Sequence, residues 1–331
     1  MTRGRRVRCL RLAFVLLLSI AVACAEQETP AREVSLGGGE LDARVYVPQG
    51  LPAGERALVV ALHGCTQSAA DYDDETGWTS LADDLKFVLL LPEQRLSNNP
   101  LRCFNWFLAG DGAVEGDGGE AGAIRRMIDD AVRRYAIAPA RVYITGVSAG
   151  GAMTAVMLAR HPRLFAGGAI IAGVPYGCVQ AEGSLSAYYQ GVRCMRDGAP
   201  GGEATSDWTQ LVRSAAEHPT RGEPAWPRVS VWHGSDDGIV AYINAENLVK
   251  QWTAMHGIDQ APDAVEEKPG RFRHAVHVKD GEAVVELWTI SGMGHAVPID
   301  PEDGCGSPAP YIEDWNICAS RRIAAFWGLG A

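Results

Sequence analysis

Positive charge is scarce in this chain once its first 25 residues are set aside. Lys and Arg number 30 against 40 Asp and Glu, and Arg3, Arg5, Arg6, Arg8 and Arg11 all precede Ala25, where no acid stands; beyond it 25 basic residues face 40 acidic ones, a formal −15. Such a surface offers no footprint for phosphate backbones or anionic membranes, so nucleic acid is excluded as an expected partner. Long apolar runs are equally lacking. The only one, residues 12–23, is too short to cross a hydrocarbon core of roughly 30 Å, and no later segment is long enough to span. There is no C-x-x-C or H-E-x-x-H spacing to suggest a zinc site, no repeat with a period of tens of residues, and no Pro/Gly/Ser linker dividing the chain. One packed domain over 26–331 is therefore expected, with 47% hydrophobic and 21% charged residues to build its core.

The arginine-rich start followed by that short apolar run reads as an export signal over residues 1–25. Two processing readings compete: Ala23-Cys24-Ala25 fits cleavage before Glu26, and Ala21-Val22-Ala23-Cys24 resembles a bacterial lipobox, which would place a lipid anchor on Cys24. Either predicts a secreted or periplasmic protein, the second an outer-surface lipoprotein, with the polar stretch 26–33 as a tether or a frayed end. Without Cys9 and Cys24, six of the eight cysteines remain, an even number that predicts three disulfides in an oxidising compartment. Proximity along the chain pairs Cys178 with Cys194 and Cys305 with Cys318, leaving Cys65 with Cys103.

Apolar runs with strand character at 41–47, 57–62, 87–91, 141–145, 169–172, 228–232 and 284–290 alternate with helical periodicity at 68–85, 120–135, 150–160, 241–256 and 320–327. This is the pattern of an α/β protein with a mostly parallel sheet covered on both faces. Two stretches depart from it: a glycine-rich loop at 110–119, and a cysteine-bearing insertion at 174–227 that reads as a cap over the sheet, either a lid or a structural insert.

Gly146-Val147-Ser148-Ala149-Gly150 is the sole G-x-S-x-G, and it lies where a predicted strand runs into a predicted helix, the context a nucleophile elbow requires. Ser148 needs a base, and in this architecture the acid and then the histidine follow the serine in the chain. Of eight histidines, His63 precedes the serine, His161 and His256 end helices, His218 lies in the insertion, His233 precedes a turn, and His274 and His277 sit on one predicted strand. His295, in a glycine-rich turn after the last strand, is the remaining candidate base. The acid falls in the turn Gly234-Ser235-Asp236-Asp237, where the residues alone leave Asp236 and Asp237 open. Oxyanion donors are expected from the Ala149 amide, just after the nucleophile, and the Cys65 amide, where Gly64 permits a twist after the strand at 57–62. A free catalytic thiol at Cys65 is the contrary reading, with no base placed for it.

Several phrases together give a specific resemblance: Leu62-His63-Gly64-Cys65-Thr66-Gln67, Leu91-Pro92-Glu93-Gln94, Cys103-Phe104-Asn105-Trp106-Phe107, the Arg141-to-Met153 stretch around Ser148, His233-Gly234-Ser235-Asp236-Asp237, and Gly292-Met293-Gly294-His295-Ala296. In this order they resemble the exported esterase family of poly(3-hydroxybutyrate) depolymerases, related to feruloyl and acetylxylan esterases. The resemblance implies an α/β-hydrolase fold and a serine esterase without metal or cofactor. It places the acid on Asp237 and an oxyanion donor on Cys65. The implied substrate is a polyester or small ester, foremost poly- or oligo(3-hydroxybutyrate); a feruloyl or acetylxylan ester is the alternative, and a noncatalytic polymer-binding lipoprotein the alternative of another class. Within the aromatic cluster, Asn105 and Trp106 are candidate substrate contacts. Val297 departs from the tryptophan many relatives carry there, which implies a reshaped pocket.

Overall fold

The computed structural model describes residues 32–38, 40–108, 118–181, 183–198, 205–216 and 225–330. The export signal expected over 1–25, with Cys24, most of the glycine-rich loop, and parts of the insertion lie outside the described residues.

Parallel strands β3 (Arg56–Leu62), β4 (Val88–Glu93), β5 (Ile137–Val147), β6 (Gly167–Ile171), β7 (Arg228–Gly234) and β10 (Glu282–Ile290) form the centre of a ten-stranded sheet. Antiparallel strands close both margins. β1 (Arg32–Gly38) and β2 (Leu41–Val47) precede β4, while β9 (Phe272–Lys279) and β8 (Ala264–Lys268) follow β10, giving the order β1-β2-β4-β3-β5-β6-β7-β10-β9-β8.

The two faces are read directly from alternation along the strands. Leu58, Val60 and Leu62 of β3 point to the layer holding α3 (Gly119–Tyr135), α4 (Ala149–Arg160) and α7 (Ile243–His256). Ala57, Val59 and Ala61 point to the opposite layer of α1 (Ala69–Asp73), α2 (Trp78–Leu85) and α8 (Ala319–Trp327). Every residue of α4 is buried, as befits a helix held between the sheet and the covering elements. In the opposite layer Trp327 stacks on Tyr143 at 5.0 Å and on Trp78 at 5.9 Å between ring centroids, tying α8 to β5 and α2.

The expected helix over 68–85 divides into α1 and α2, because Gly77 takes a left-handed conformation (φ +78°) as the N-cap of α2. β1 begins at Arg32, inside the stretch expected to be a tether, and pairs with β2 over its full length. The outermost strand β8 carries Glu266, Glu267 and Lys268, charges that discourage pairing with another sheet edge.

The insertion folds as α5 (Ser184–Asp197) and α6 (Thr205–Ala215). Cys178–Cys194 binds α5 to the segment after β6, and Asn244 of α7 donates from Nδ2 to the Cys194 and Met195 carbonyls at 3.1 and 3.0 Å. Cys65–Cys103 and Cys305–Cys318 complete the pairing expected from proximity. A small two-stranded parallel sheet, β11 (Val297–Ile299) with β12 (Ile312–Asp314), lies between β10 and α8.

Replacing Trp327, 4% exposed at the centre of the aromatic stack, by Ala is expected to lower unfolding free energy by about 3–5 kcal/mol. Urea denaturation of wild type and variant measures this.

Candidate active site

Four chain segments leave the sheet at the carboxyl ends of parallel strands and meet at one edge. β5 ends at Val147, so Ser148 stands at the turn into α4 with φ +56° and ψ −118°, a conformation L-residues rarely adopt. Strain of this kind is worth roughly 1–3 kcal/mol and persists only where the surroundings fix it. Here the Ser148 amide donates to the Ile171 carbonyl at 2.9 Å and its carbonyl accepts from the Ala152 amide at 2.8 Å. The turn also needs a glycine at 150, since a Cβ there would meet the carbonyls of Leu62 and His63.

β7 delivers the acid. Its last residue, Gly234, packs so closely on the carbonyls of Met293 and Gly294 that a side chain would overlap them, and this contact sets the turn bearing Asp237 against the loop bearing His295. Asp237 Oδ2 accepts from His295 Nδ1 at 2.7 Å, and Oδ1 accepts from the Ile239 and Val240 amides, each at 2.9 Å. Its side chain is fully buried. Burial pushes the Asp237 carboxyl pKa upward, but hydrogen bonds from His233 and His295, the His295 charge and the Val240 amide outweigh it and hold the group well below the usual carboxylate range. Asp236 is exposed and accepts from the Ser235 hydroxyl at 2.7 Å, an ordinary turn contact. The geometry thus separates the two acids that the turn sequence left open.

His233 is an additional partner that the order of motifs did not reveal. Fully buried, it lies with Nε2 at 3.4 Å from Asp237 Oδ2, the oxygen that His295 also contacts, and 2.8 Å from the Val240 carbonyl.

Ser148 and His295 line one cavity of about 140 Å³ together with Gly64, Cys65, Thr66 and Gln67 from the loop after β3. Gly64 lies so near that a Cβ on it would stand 3.5 Å from Ser148 Cβ. Among the described residues, neither the Cys65 nor the Ala149 amide finds a hydrogen-bond acceptor in the protein. The cysteine itself is held in the Cys65–Cys103 bond and is not a free thiol.

The remaining wall is apolar: Met195 from α5, Ile239, and Tyr311, whose ring meets His295 edge-on at 5.9 Å. None of these three was marked by a motif, because they come from the cap, a turn and the β11–β12 connection. The cap therefore supplies a wall of the cavity.

Asn105 and Trp106, the expected substrate contacts, do not line this cavity. Asn105 is occupied by Glu120, to which its amide and Nδ2 donate at 2.7 and 2.6 Å. Trp106 is 8% exposed and lines a separate cavity of about 240 Å³ with Tyr176 and Leu211. Phe104 is wholly buried against His63. Aromatic side chains gain more from core burial than from exposure, and the sequence cluster reflects that gain. Val297 is likewise buried in β11, away from the cavity lining.

Residues 41–277 match the family model described as esterase PHB depolymerase. The chain belongs to this family. It is 40% identical over 327 residues, covering 97% of this chain and 75% of the relative, to poly(3-hydroxyalkanoate) depolymerase C of Paucimonas lemoignei. It is 30% identical to acetylxylan esterase A of Emericella nidulans over 78% of this chain and 81% of that protein, and 28% identical to feruloyl esterase B of Talaromyces stipitatus over 79% and 70%. Among solved structures, acetyl xylan esterase from Aspergillus awamori superposes with a TM-score of 0.66 at 23% identity, covering 82% of this chain and 96% of that one, which shows the shared α/β-hydrolase fold. This PHB depolymerase family member is a carboxylic-ester hydrolase.

The depressed pKa of Asp237 has a defined sign for stability. A carboxyl whose folded pKa lies below its ordinary 3.8 contributes stability that is complete above that value and is lost as pH falls through the folded pKa. The stability advantage of wild type over Asp237→Asn, followed by urea unfolding, is expected to be constant above about pH 5 and to shrink on acidification below about pH 4.

Proposed function

We propose that this hydrolase cleaves esters through an acyl-enzyme formed on Ser148, with His295 as base and then acid, Asp237 as its orienting acid, and the Cys65 and Ala149 amides as the oxyanion hole. The observation that carries this reading is the shared cavity: Ser148 and His295 line it, His295 is bonded to buried Asp237, and the Cys65 loop abuts Ser148. With Nδ1–H donating to Asp237, the neutral imidazole keeps Nε2 as the proton acceptor. Ser148 Oγ attacks the ester carbonyl as its proton passes to Nε2, and the two amides bind the oxygen that becomes negative, each worth roughly 3 kcal/mol in comparable enzymes. The intermediate collapses, the C–O bond to the alcohol breaks, and Nε2 returns the proton to the leaving oxygen. Water, deprotonated by the same nitrogen, then releases the acid. The dipole of α4, whose N-terminus follows Ser148, supports the same negative charge. No step requires a metal or cofactor.

For the substrate, the best-supported reading is a 3-hydroxybutyrate ester, polymeric or oligomeric. The relative at 40% identity is named a poly(3-hydroxyalkanoate) depolymerase, and the cavity lined by Met195, Ile239 and Tyr311 suits a short aliphatic acyl unit. Feruloyl and acetylxylan esters are the competing substrates, since those activities name the more distant relatives.

We further propose that 1–25 is an export signal and 26–331 one catalytic domain. The three disulfides support an oxidising compartment. The mass of the mature N-terminus distinguishes a lipidated Cys24 from a start at Glu26.

Ser148→Ala is expected to lower kcat on p-nitrophenyl butyrate on the order of 10⁴-fold or more, and Asp237→Asn by about 10⁴-fold. Equal turnover by Ser148→Ala and wild type removes the scheme. Rates on amorphous polyhydroxybutyrate, methyl ferulate and acetylated xylan rank the substrates, with the polyester expected first.

A further inference from the structure

We propose that His63 is a positioning residue that orients and polarises the peptide supplying the Cys65 oxyanion donor. The inference rests on assigning the Cys65 amide to the oxyanion hole.

His63 stands immediately beyond β3 and is wholly buried. Its Nε2 lies 3.1 Å from the backbone N–H of Gln94, the first residue beyond the neighbouring strand β4. A backbone amide can only donate, so Nε2 is an acceptor and the ring proton sits on Nδ1. Nδ1 lies 2.7 Å from the Gly64 carbonyl oxygen and must donate to it.

That carbonyl belongs to the same peptide unit as the Cys65 N–H. All described peptide bonds are trans, so the C=O and N–H bonds of the unit point in opposite directions. Turning the carbonyl toward a buried imidazole turns the N–H away from the interior, on the loop that faces Ser148. A hydrogen bond accepted by a peptide oxygen also strengthens the donor on the same peptide, and the Gln94 N–H strengthens His63 as a donor in turn.

The chain of contacts extends to a firm anchor. Gln94 Nε2 donates to Glu120 Oε1 at 2.6 Å and to the Cys103 carbonyl at 3.0 Å, and Cys103 is the disulfide partner of Cys65. On the other flank the Gly64 amide donates to Gln67 Oε1 at 2.8 Å. The Phe104 ring covers the imidazole at 4.9 Å between centroids, shielding these bonds from water. The arrangement requires a neutral ring, and burial lowers the His63 pKa accordingly.

Two substitutions separate the parts. Asn places an amide N–H near the position of Nδ1, retaining the donor to Gly64; Gln places its terminal amide near Nε2, retaining the contact with Gln94 and losing that donor. In the full chain, His63→Gln is expected to lower kcat on p-nitrophenyl butyrate about 30-fold, with KM within about twofold, a fraction of the 10²–10³ seen when an oxyanion donor is removed outright. The inhibition constant of a trifluoromethyl ketone, whose adduct carries an oxyanion, should rise in parallel. His63→Asn should keep kcat within about fivefold. Equal kcat loss in the two variants, or no loss in His63→Gln, overturns the proposal. Should a variant fail to fold, the wild-type imidazole nitrogens read by long-range ¹H–¹⁵N correlation decide it: the Nδ1–H tautomer must persist from pH 5 to 9, and an Nε2–H or charged ring overturns it. Labelling of Ser148 by diethyl p-nitrophenyl phosphate in wild type separates the two failures, because its absence removes the proposed mechanism itself.

Discussion

A side chain at position 150 or 234 would occupy space already filled by carbonyl groups, those of Leu62 and His63 in one case and of Met293 and Gly294 in the other. These close backbone contacts are the constraint on which the rest of the site depends. They press the ends of β3 and β5 together, and the end of β7 against the loop after β10. Side chains from four distant chain segments can therefore face one cavity of only about 140 Å³. Separation by the thickness of an ordinary side chain would leave each group intact and the set dispersed.

Burial has opposite consequences at the two sides of this edge. Around Asp237 it surrounds an ionised carboxylate with donors, two histidines and two backbone amides, so that hydrogen bonding overrides desolvation. Around His63 it encloses an imidazole with one donor and one acceptor, the set satisfied by a neutral ring. One side of the edge thus holds a fixed charge, the Asp237 carboxylate, and the other a fixed neutral dipole, the His63 imidazole. The cap adds shape: α5 is held by the Cys178–Cys194 bond and by Asn244, and presents Met195 to the cavity.

Legibility in the sequence followed the range of the forces involved. The strands β3, β5 and β7 were readable because both of their faces are buried, which leaves continuous apolar runs. β1 was not, since it lies at an edge where backbone pairing with β2, rather than composition, specifies a strand. Ser148, His295 and the Cys65 loop were readable because glycine spacing and motif order carry their geometry. That Asn105 and Trp106 lie outside the Ser148 cavity was not readable, because an aromatic cluster has the same composition in a groove and in a core, and only the contacts of Glu120 and the packing of Trp106 place them.

The sequence by itself determined the alternation of elements, the sharp turn at Ser148, the even cysteine set and the order of serine, acid and histidine. These are local properties of spacing, backbone freedom and composition. The tertiary structure alone decided that Asp237 is buried against His295 while Asp236 faces water, and that Met195, Ile239 and Tyr311 enclose the cavity. It also decided that His63 turns a peptide toward the interior. Each of these depends on which strand ends are neighbours in the sheet, and the order of strands in space is not their order in the chain.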